Sequence, residues 1–129
     1  MANREVLIEV DMGKYKSIEL SVEEAEKLLS KITETLGFES NDVNETFRIL
    51  RNFDVFYDTM RKKFKDYLAP SKSMNDMIRG TVVVDRLRLI KEGDTRKVRI
   101  VFDRRISEDL LMEVLSELGY KVSIKKLKF

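Results

Sequence analysis

The feature that most constrains the fold is a pair of Val-, Ile- and Leu-rich runs at residues 81–91 and 96–103. Between them lie Glu92 to Thr95, with Gly93-Asp94 at the centre, a composition typical of a tight β-turn. With a two-residue turn, Leu87 faces Ile100 across the two strands. Because side chains alternate between the two faces of a strand, this register places the apolar residues on one side. The sequence therefore predicts an antiparallel hairpin with one apolar face.

The other side of this hairpin is basic, and it carries Arg86, Arg88, Lys97 and Arg99. In the predicted register Arg88 lies directly opposite Arg99, and like charges in that position cost up to about 1 kcal/mol. A phosphate backbone would offset the repulsion, because Arg and Lys neutralise phosphates and release counterions. Two alternatives stay open: a solvated face neutralised by an acidic helix, or an acidic protein partner.

The N-terminal third predicts a second hairpin followed by a helix. Residues 4–11 and 14–20 alternate in polarity and are separated by Met12-Gly13, which favours two paired strands. Ser21 is followed three residues later by Glu24, the pattern of a capping box at a helix start. We expect a helix over residues 22–36.

A longer helix is predicted over residues 43–68, because apolar and aromatic residues recur there at steps of three and four. It would be on the order of 39 Å long, more than a domain of this size needs. It is therefore expected to kink near Asn52 to Asp54 or to extend to a partner, and its width favours self-association or docking. The recurring residues are Val43, Phe47, Leu50, Phe53, Tyr57, Met60, Phe64 and Tyr67. The aromatic stripe on this helix is predicted to be buried core rather than a ligand cage; it comprises Phe47, Phe53, Phe56, Tyr57, Phe64 and Tyr67.

The remaining segments complete an α+β pattern. Residues 69–80 are interpreted as a mobile connection, Ser107 as the cap of a further helix, and residues 121–129 as a last strand. The predicted order is ββααββαβ, a two-layer sandwich with helices on one face of a largely antiparallel sheet, in a single domain of residues 1–129. Its predicted core contains Val6, Ile8, Leu28, Leu29, Ile32, Leu50, Leu87, Leu89, Ile100, Leu111 and Leu115.

Composition excludes much catalytic chemistry. The chain has no His and no Cys, so it lacks the commonest general base, the commonest metal ligand and the thiolate nucleophile. A carboxylate- and metal-dependent activity at Asp85 and Asp103 is the remaining enzymatic option, but their spacing matches no familiar arrangement. We expect no enzymatic activity, no cofactor and no metal.

Charge is unevenly distributed along the 129 residues, although the net charge is only +2. Residues 1–60 carry 7 Lys and Arg against 13 Asp and Glu, whereas residues 61–129 carry 18 against 10. This asymmetry favours an anionic partner for the C-terminal half. Abundant Lys, Arg and Glu without Cys or Gln is also typical of thermostable proteins that use surface ion pairs.

The start of the chain has no apolar signal core, so a cytoplasmic location is expected. No stretch approaches the roughly 18 apolar residues of a membrane helix, so no membrane association is expected.

A second basic element lies near the end of the predicted long helix, at residues 61–65, and includes Lys62, Lys63 and Lys65. Cations there also stabilise the helix dipole, which is the structural interpretation. A third group would widen the basic face if the last strand joined the same sheet. It comprises Lys121, Lys125, Lys126, Lys128, Arg104 and Arg105.

We therefore predict a non-enzymatic nucleic-acid-binding protein, with RNA or single-stranded DNA slightly preferred. Phosphates are contacted through Arg86, Arg88, Lys97 and Arg99, with Lys62, Lys63 and Lys65 as secondary contacts. Because no aromatic pair is predicted on the strands, readout of backbone and shape is expected. The alternative is an adaptor or structural subunit that holds an acidic partner with the helix at 43–68 and the basic C-terminal half. Either way, a homo-oligomer or a subunit of a larger complex is expected.

Overall fold

Five strands and five helices make up the α+β fold of the computed structural model, which describes residues 4–127. The strands are β1 (Glu5–Asp11), β2 (Tyr15–Ser21), β3 (Val84–Glu92), β4 (Thr95–Phe102) and β5 (Lys121–Leu127). The helices are α1 (Val22–Leu36), α2 (Asn41–Arg51), α3 (Phe53–Lys62), α4 (Met74–Arg79) and α5 (Glu108–Glu117).

The strands form one mixed sheet in the order β3-β4-β2-β1-β5. Neighbouring strands are antiparallel except β1 and β5, which are parallel. The predicted hairpin register is confirmed, because Leu87 pairs with Ile100 and Arg88 pairs with Arg99. The last strand does join this sheet, but at the edge opposite β3.

The core lies between one face of the sheet and the helices. Inward residues of the strands, such as Ile8, Ile18 and Ile100, are fully buried against apolar residues of the helices, such as Leu28 and Leu111. The eleven residues of the predicted core, from Val6 to Leu115, are all buried. The alternation of polarity along the strands therefore identified the inner face correctly.

The predicted start of α1 is confirmed in its atomic detail. The Ser21 hydroxyl accepts from the Glu24 backbone N–H at 3.2 Å, and the Glu24 carboxylate accepts from the Ser21 N–H at 2.9 Å. Two otherwise free backbone donors are satisfied in this way.

The single helix predicted over residues 43–68 is wrong, and two helices take its place. Asn52 breaks the helix with φ −119° and ψ 41°, at the predicted kink, and its side-chain amide donates to the Arg48 carbonyl at 2.9 Å. Such side-chain bonds to the backbone compete with helical bonding. The second helix, α3, ends at Lys62. Because α3 and α4 are separate elements, the order contains two helices more than predicted.

The segment after α3 covers the outer edge of the sheet. Leu68 and Leu87 exchange two backbone hydrogen bonds, of 2.7 and 2.8 Å. The Lys72 ammonium donates to the Asp85 carbonyl at 2.8 Å. Pairing with β3 requires an extended backbone at Leu68, so the helix cannot continue to this residue.

The stretch at 69–80 contains α4, which the sequence analysis did not predict. Ser73 caps its start by accepting from the Asp76 N–H at 3.0 Å. The Asp76 carboxylate accepts from the Asn41 N–H and the Thr81 hydroxyl, both at 2.8 Å, and so joins α4 to the start of α2. Six residues are too few to show a helical period, which is why the sequence pattern missed this helix.

Among residues 4–127, no helix combines the length and the apolar character needed to cross a lipid bilayer.

Candidate nucleic-acid interface

The four cations predicted as phosphate contacts lie together on the sheet surface that faces away from the core. We call Arg86, Arg88, Lys97 and Arg99 the hairpin face. Arg88 is exposed, whereas the other three are half-buried. The predicted grouping of these side chains on the outer side of β3 and β4 is therefore present.

Arg99 already has carboxylate partners inside the chain. Its guanidinium lies 3.4 Å from Glu9 on β1 and 3.4 Å from Glu19 on β2, and it donates to the Ser17 hydroxyl at 3.2 Å. Since opposite charges offset the repulsion from Arg88, no phosphate is needed to explain the opposed arginines. The hairpin sequence alone does not reveal these partners, because Glu9 and Glu19 come from β1 and β2.

The other hairpin-face cations differ in how strongly they are paired. Lys97 lies 3.8 Å from Glu92, and Arg86 lies 3.5 Å from Asp85, both partly exposed pairs of little net strength. Arg88 has no ion-pair partner within residues 4–127. It is therefore the hairpin-face cation best placed to meet an external anion.

The lysines of β5 do not widen the hairpin face. Lys121 and Lys125 pair with β1 at the opposite edge of the sheet, and β2 and β1 lie between them and β4. The intervening strands carry Glu9 and Glu19. Arg105 lies 3.7 Å from Asp103, and Lys128 falls outside the described residues.

The second basic element, residues 61–65, ends α3 in a Schellman turn; we call it the basic segment. The Phe64 N–H donates to the Arg61 carbonyl at 3.1 Å, and the Lys65 N–H donates to the Met60 carbonyl at 3.0 Å. This motif requires a left-handed residue, usually Gly, directly after the cap. Here that residue is Phe64, with φ 52°. A left-handed conformation is strained for a bulky residue, by about 1–2 kcal/mol.

Phe64 is also 96% exposed, so its predicted place in the core is wrong. The helical spacing continues through residue 64, but the left-handed turn directs the ring into solvent between Lys63 and Lys65. An exposed ring on strained backbone gains no packing energy in the free chain. Strained, exposed residues cluster at binding sites, where a ligand supplies the missing contacts.

The structure brings the two basic elements together at an edge cleft of about 250 Å³ between the basic segment and β3. Its cations are Arg61, Lys65, Arg88 and Lys91, against one carboxylate, Asp66. Lys91 is paired with Asp54 at 3.6 Å, and the Arg61 guanidinium lies over the Tyr57 ring, 5.9 Å from its centre. The cleft is thus net positive, and Lys65, one of its lining residues, directly follows Phe64 in the chain.

A second recess, the face cleft of about 180 Å³, lies on the open side of the sheet and was not predicted. Arg86 lies there over two aromatic rings, 5.8 Å from the centre of Tyr15 and 5.0 Å from that of Tyr67. The polarity pattern of β2 already pointed Tyr15 outward. Tyr67 gave no such signal, because its spacing fitted the predicted long helix.

A larger cleft, of about 570 Å³, lies between the start of α1, the α2–α3 junction and the β3–β4 turn. Its main charged pair is internal: Arg96 donates to both oxygens of Asp54, at 3.0 and 2.9 Å. This bonding, together with Lys91, lowers the pKa of the Asp54 carboxyl. Because these groups satisfy each other, we do not place the site there.

Within residues 4–127, no three His, Cys, Asp or Glu side chains are grouped so that they could hold a metal ion.

Comparisons with protein-family models, with curated proteins and with solved structures gave no match to this chain.

Proposed function

We propose that this protein binds single-stranded nucleic acid without acting as an enzyme. The observation that carries the proposal is Phe64, a fully exposed ring held on left-handed backbone between lysines. Bases stack on exposed aromatic rings while neighbouring cations contact the phosphates. Single strands are favoured over duplexes because only unpaired bases offer their faces for stacking.

The phosphate contacts are assigned to basic side chains that form no ion pair within residues 4–127. These are Arg88 on the hairpin face and Lys62, Lys63 and Lys65 in the basic segment, with Arg61 beside them in the edge cleft. Lys97 and Arg86 contribute less because each has an acidic neighbour. Arg99 serves mainly to bind β1 and β2 to the hairpin through Glu9 and Glu19.

Fluorescence anisotropy with labelled 12-nucleotide RNA, single-stranded DNA and duplex DNA at several salt concentrations tests the proposal. With four to six phosphates neutralised, the log-log slope of affinity against salt should be roughly −3 to −4 for a single strand. Duplex DNA should bind more weakly than either single strand. Absence of binding by folded protein to every strand at low salt would overturn the proposal.

A matched pair of triple variants separates the basic segment from general positive charge. Replacing Lys62, Lys63 and Lys65 by Ala should reduce the steepness of the salt slope by about 2. The control replaces Lys121, Lys125 and Lys126 on β5, which removes the same charge from the far edge of the sheet. This control should change the salt slope much less. Equal effects of the two triple variants would contradict the assignment of phosphate contacts to the basic segment.

The alternative, an adaptor for an acidic protein partner, has one observation of its own. The apolar side chains of α4 are exposed: Met74 by 69%, Met77 by 44% and Ile78 by 76%. Exposed apolar groups beside cations suit protein docking. The helix-length argument for this alternative no longer holds, since α2 and α3 are separate. Failure of all oligonucleotides to bind would make the adaptor the better proposal.

A further inference from the structure

We infer that the face cleft is a subsite for an unpaired base and that it prefers guanine. The inference rests on the proposed single-strand binding. It assigns a base to the face cleft and the phosphates to the hairpin face of the same sheet. Its test below distinguishes failure of the subsite from failure of the proposed function.

The cleft crosses four strands of the sheet in one row. Arg86 lies opposite Val101, Val101 opposite Ser17, and Ser17 opposite Glu9. Asp11 and Tyr15 form the adjacent pair towards the β1–β2 turn. Tyr67, which lies in the segment after α3 at the edge of β3, lines one side of the cleft. At about 180 Å³, the recess is smaller than a typical site for a drug-sized ligand and suits one flat group.

The charge of this cleft disfavours phosphate as its occupant. Two guanidiniums, Arg86 and Arg99, are balanced there by Glu9 and Asp11. Carboxylates repel a phosphate, whereas they accept hydrogen bonds from the N–H groups of a base. A neutral ligand that offers both donors and acceptors is therefore the better match.

Two polar atoms of opposite kind, on residues that line the cleft, are buried and have no hydrogen-bond partner in the chain. Oδ1 of Asp11 is an unused acceptor, and Nε of Arg86 is an unused donor. A shielded polar atom without a partner costs about 1–3 kcal/mol, so a ligand that satisfies both is favoured. Because both atoms are covered in the free chain, the proposal requires a side-chain adjustment of Asp11 and Arg86 that exposes these atoms to the base.

Guanine offers the matching groups. Its N1–H and exocyclic amine are adjacent donors for a carboxylate such as Asp11. Its O6 and N7 are the acceptors that Arg contacts most often in base recognition. Aromatic rings at the cleft, Tyr15 and Tyr67, supply a stacking surface. Adenine, cytosine and thymine each lack this combination of two adjacent donors with two adjacent acceptors.

The position of the cleft agrees with a strand whose phosphates lie on the hairpin face. Arg86 and Arg88 lie on the same side of β3, two residues apart, which places their backbones about 7 Å from each other. When a base is bound at Arg86, a neighbouring phosphate of the same strand can therefore lie near Arg88.

The test uses labelled 12-nucleotide thymidine strands in which one central base is replaced by guanine, adenine or cytosine. The guanine strand should bind about tenfold more tightly than the other three in anisotropy titrations. In Asp11→Asn this preference should disappear. If Asp11 acted only through its negative charge, Asp11→Asn would instead tighten the binding of every strand. A base-specific role and a general charge effect therefore change the affinity for the guanine strand in opposite directions.

Two further variants keep the test interpretable. Glu5→Gln removes a carboxylate from the same face of β1 outside the cleft, and it should leave the guanine preference unchanged. Tyr67→Leu leaves every strand of the sheet untouched and should weaken the guanine strand about fivefold or more through lost stacking. It provides an independent answer if Asp11→Asn does not fold.

Equal affinity of all four strands, with a steep salt dependence, would overturn the base subsite and leave the proposed function standing. If no strand binds, the proposed function fails, and guanosine monophosphate alone becomes the probe. Shifts of the Tyr15 and Tyr67 ring resonances on adding it would support the subsite. Unchanged resonances at millimolar nucleotide would overturn the subsite too.

Discussion

Arg88 and Arg99 are directly opposed across the β3–β4 hairpin, yet only Arg99 is held by carboxylates of two other strands. The pair is therefore asymmetric in its roles. Arg99 connects the hairpin to β2 and β1, whereas Arg88 faces solvent beside the edge cleft.

The two arginines should respond differently to replacement by Ser. Arg88→Ser should reduce the steepness of the salt slope for a single strand by about 0.7, the value for one phosphate contact, and should not lower stability. Arg99→Ser should leave the slope nearly unchanged and lower the free energy of unfolding by up to about 1 kcal/mol, since Glu9 and Glu19 lose a partly exposed cation. Anisotropy at several salt concentrations and urea unfolding measure the two quantities. The assignment would be contradicted if Arg99→Ser changed the slope more than Arg88→Ser.

Replacing Phe64 by Gly should affect stability and binding in opposite directions. Gly fits the left-handed position without strain, so the free energy of unfolding should rise, by up to about 1 kcal/mol. Affinity for a single strand should fall about fivefold to tenfold or more, because a base loses its stacking surface. Val55→Ala on α3, another exposed apolar residue, is the control and should not alter affinity. A destabilised Phe64→Gly would show that the ring packs within the fold.

Asp42→Ala should strongly destabilise the fold. Its fully buried carboxylate accepts from the N–H groups of Val83 and Val84 at 2.9 and 2.6 Å, and so fixes the start of β3 to α2. Two buried donors without acceptors should cost roughly 2–4 kcal/mol in urea unfolding. Asn44→Ala, at an exposed position of the same helix, should cost much less. A loss below about 1 kcal/mol would mean that water replaces the carboxylate.

Acid should weaken the junction between α2 and α4. Hydrogen bonds from the Asn41 N–H, and then from Thr81, lower the pKa of the Asp76 carboxyl below its ordinary value. A carboxyl whose pKa is lower in the folded state stabilises the fold above its unfolded pKa, near 4, and this contribution is lost as the pH falls through the folded value.

The melting temperature should therefore drop as the pH falls below about 4, and Asp76→Asn should show a smaller drop than the wild type. Calorimetry at half-unit pH steps measures this difference. Asp58→Asn, at an exposed position on α3, is the matched control and should retain the wild-type profile. Identical pH profiles for Asp76→Asn and the wild type would show that Asp76 does not contribute.

The sequence predicted the features that local chemistry determines. The hairpin register follows from the alternation of polarity about Gly93-Asp94, and the start of α1 follows from Ser21 and Glu24, three residues apart. The hairpin register and the start of α1 both depend on residues that are close together in the sequence. The end of α3 depends instead on Leu68 pairing with Leu87, which helical spacing at Tyr67 does not reveal.

The candidate site shows the same division. The outward direction of Arg88 and Arg99 was predictable from the strand period. Their different environments were not predictable, because Glu9 and Glu19 come from strands about 90 and 80 residues before Arg99 in the chain. The position of β5 at the far edge, which separates Lys121 and Lys125 from the hairpin face, is likewise a property of the sheet order alone.

The bridge between Leu68 and Leu87 also limits how copies of this chain can assemble through their sheets. It occupies backbone groups at the β3 edge, whereas in the described part of the chain β5 pairs only with β1. A strand that adds at the β3 edge must displace this bridge or begin beyond Leu87, whereas the described part of β5 carries no such bridge. Copies joined through the β5 edge alone would stop at two, because an open chain of copies needs two free edges on every molecule.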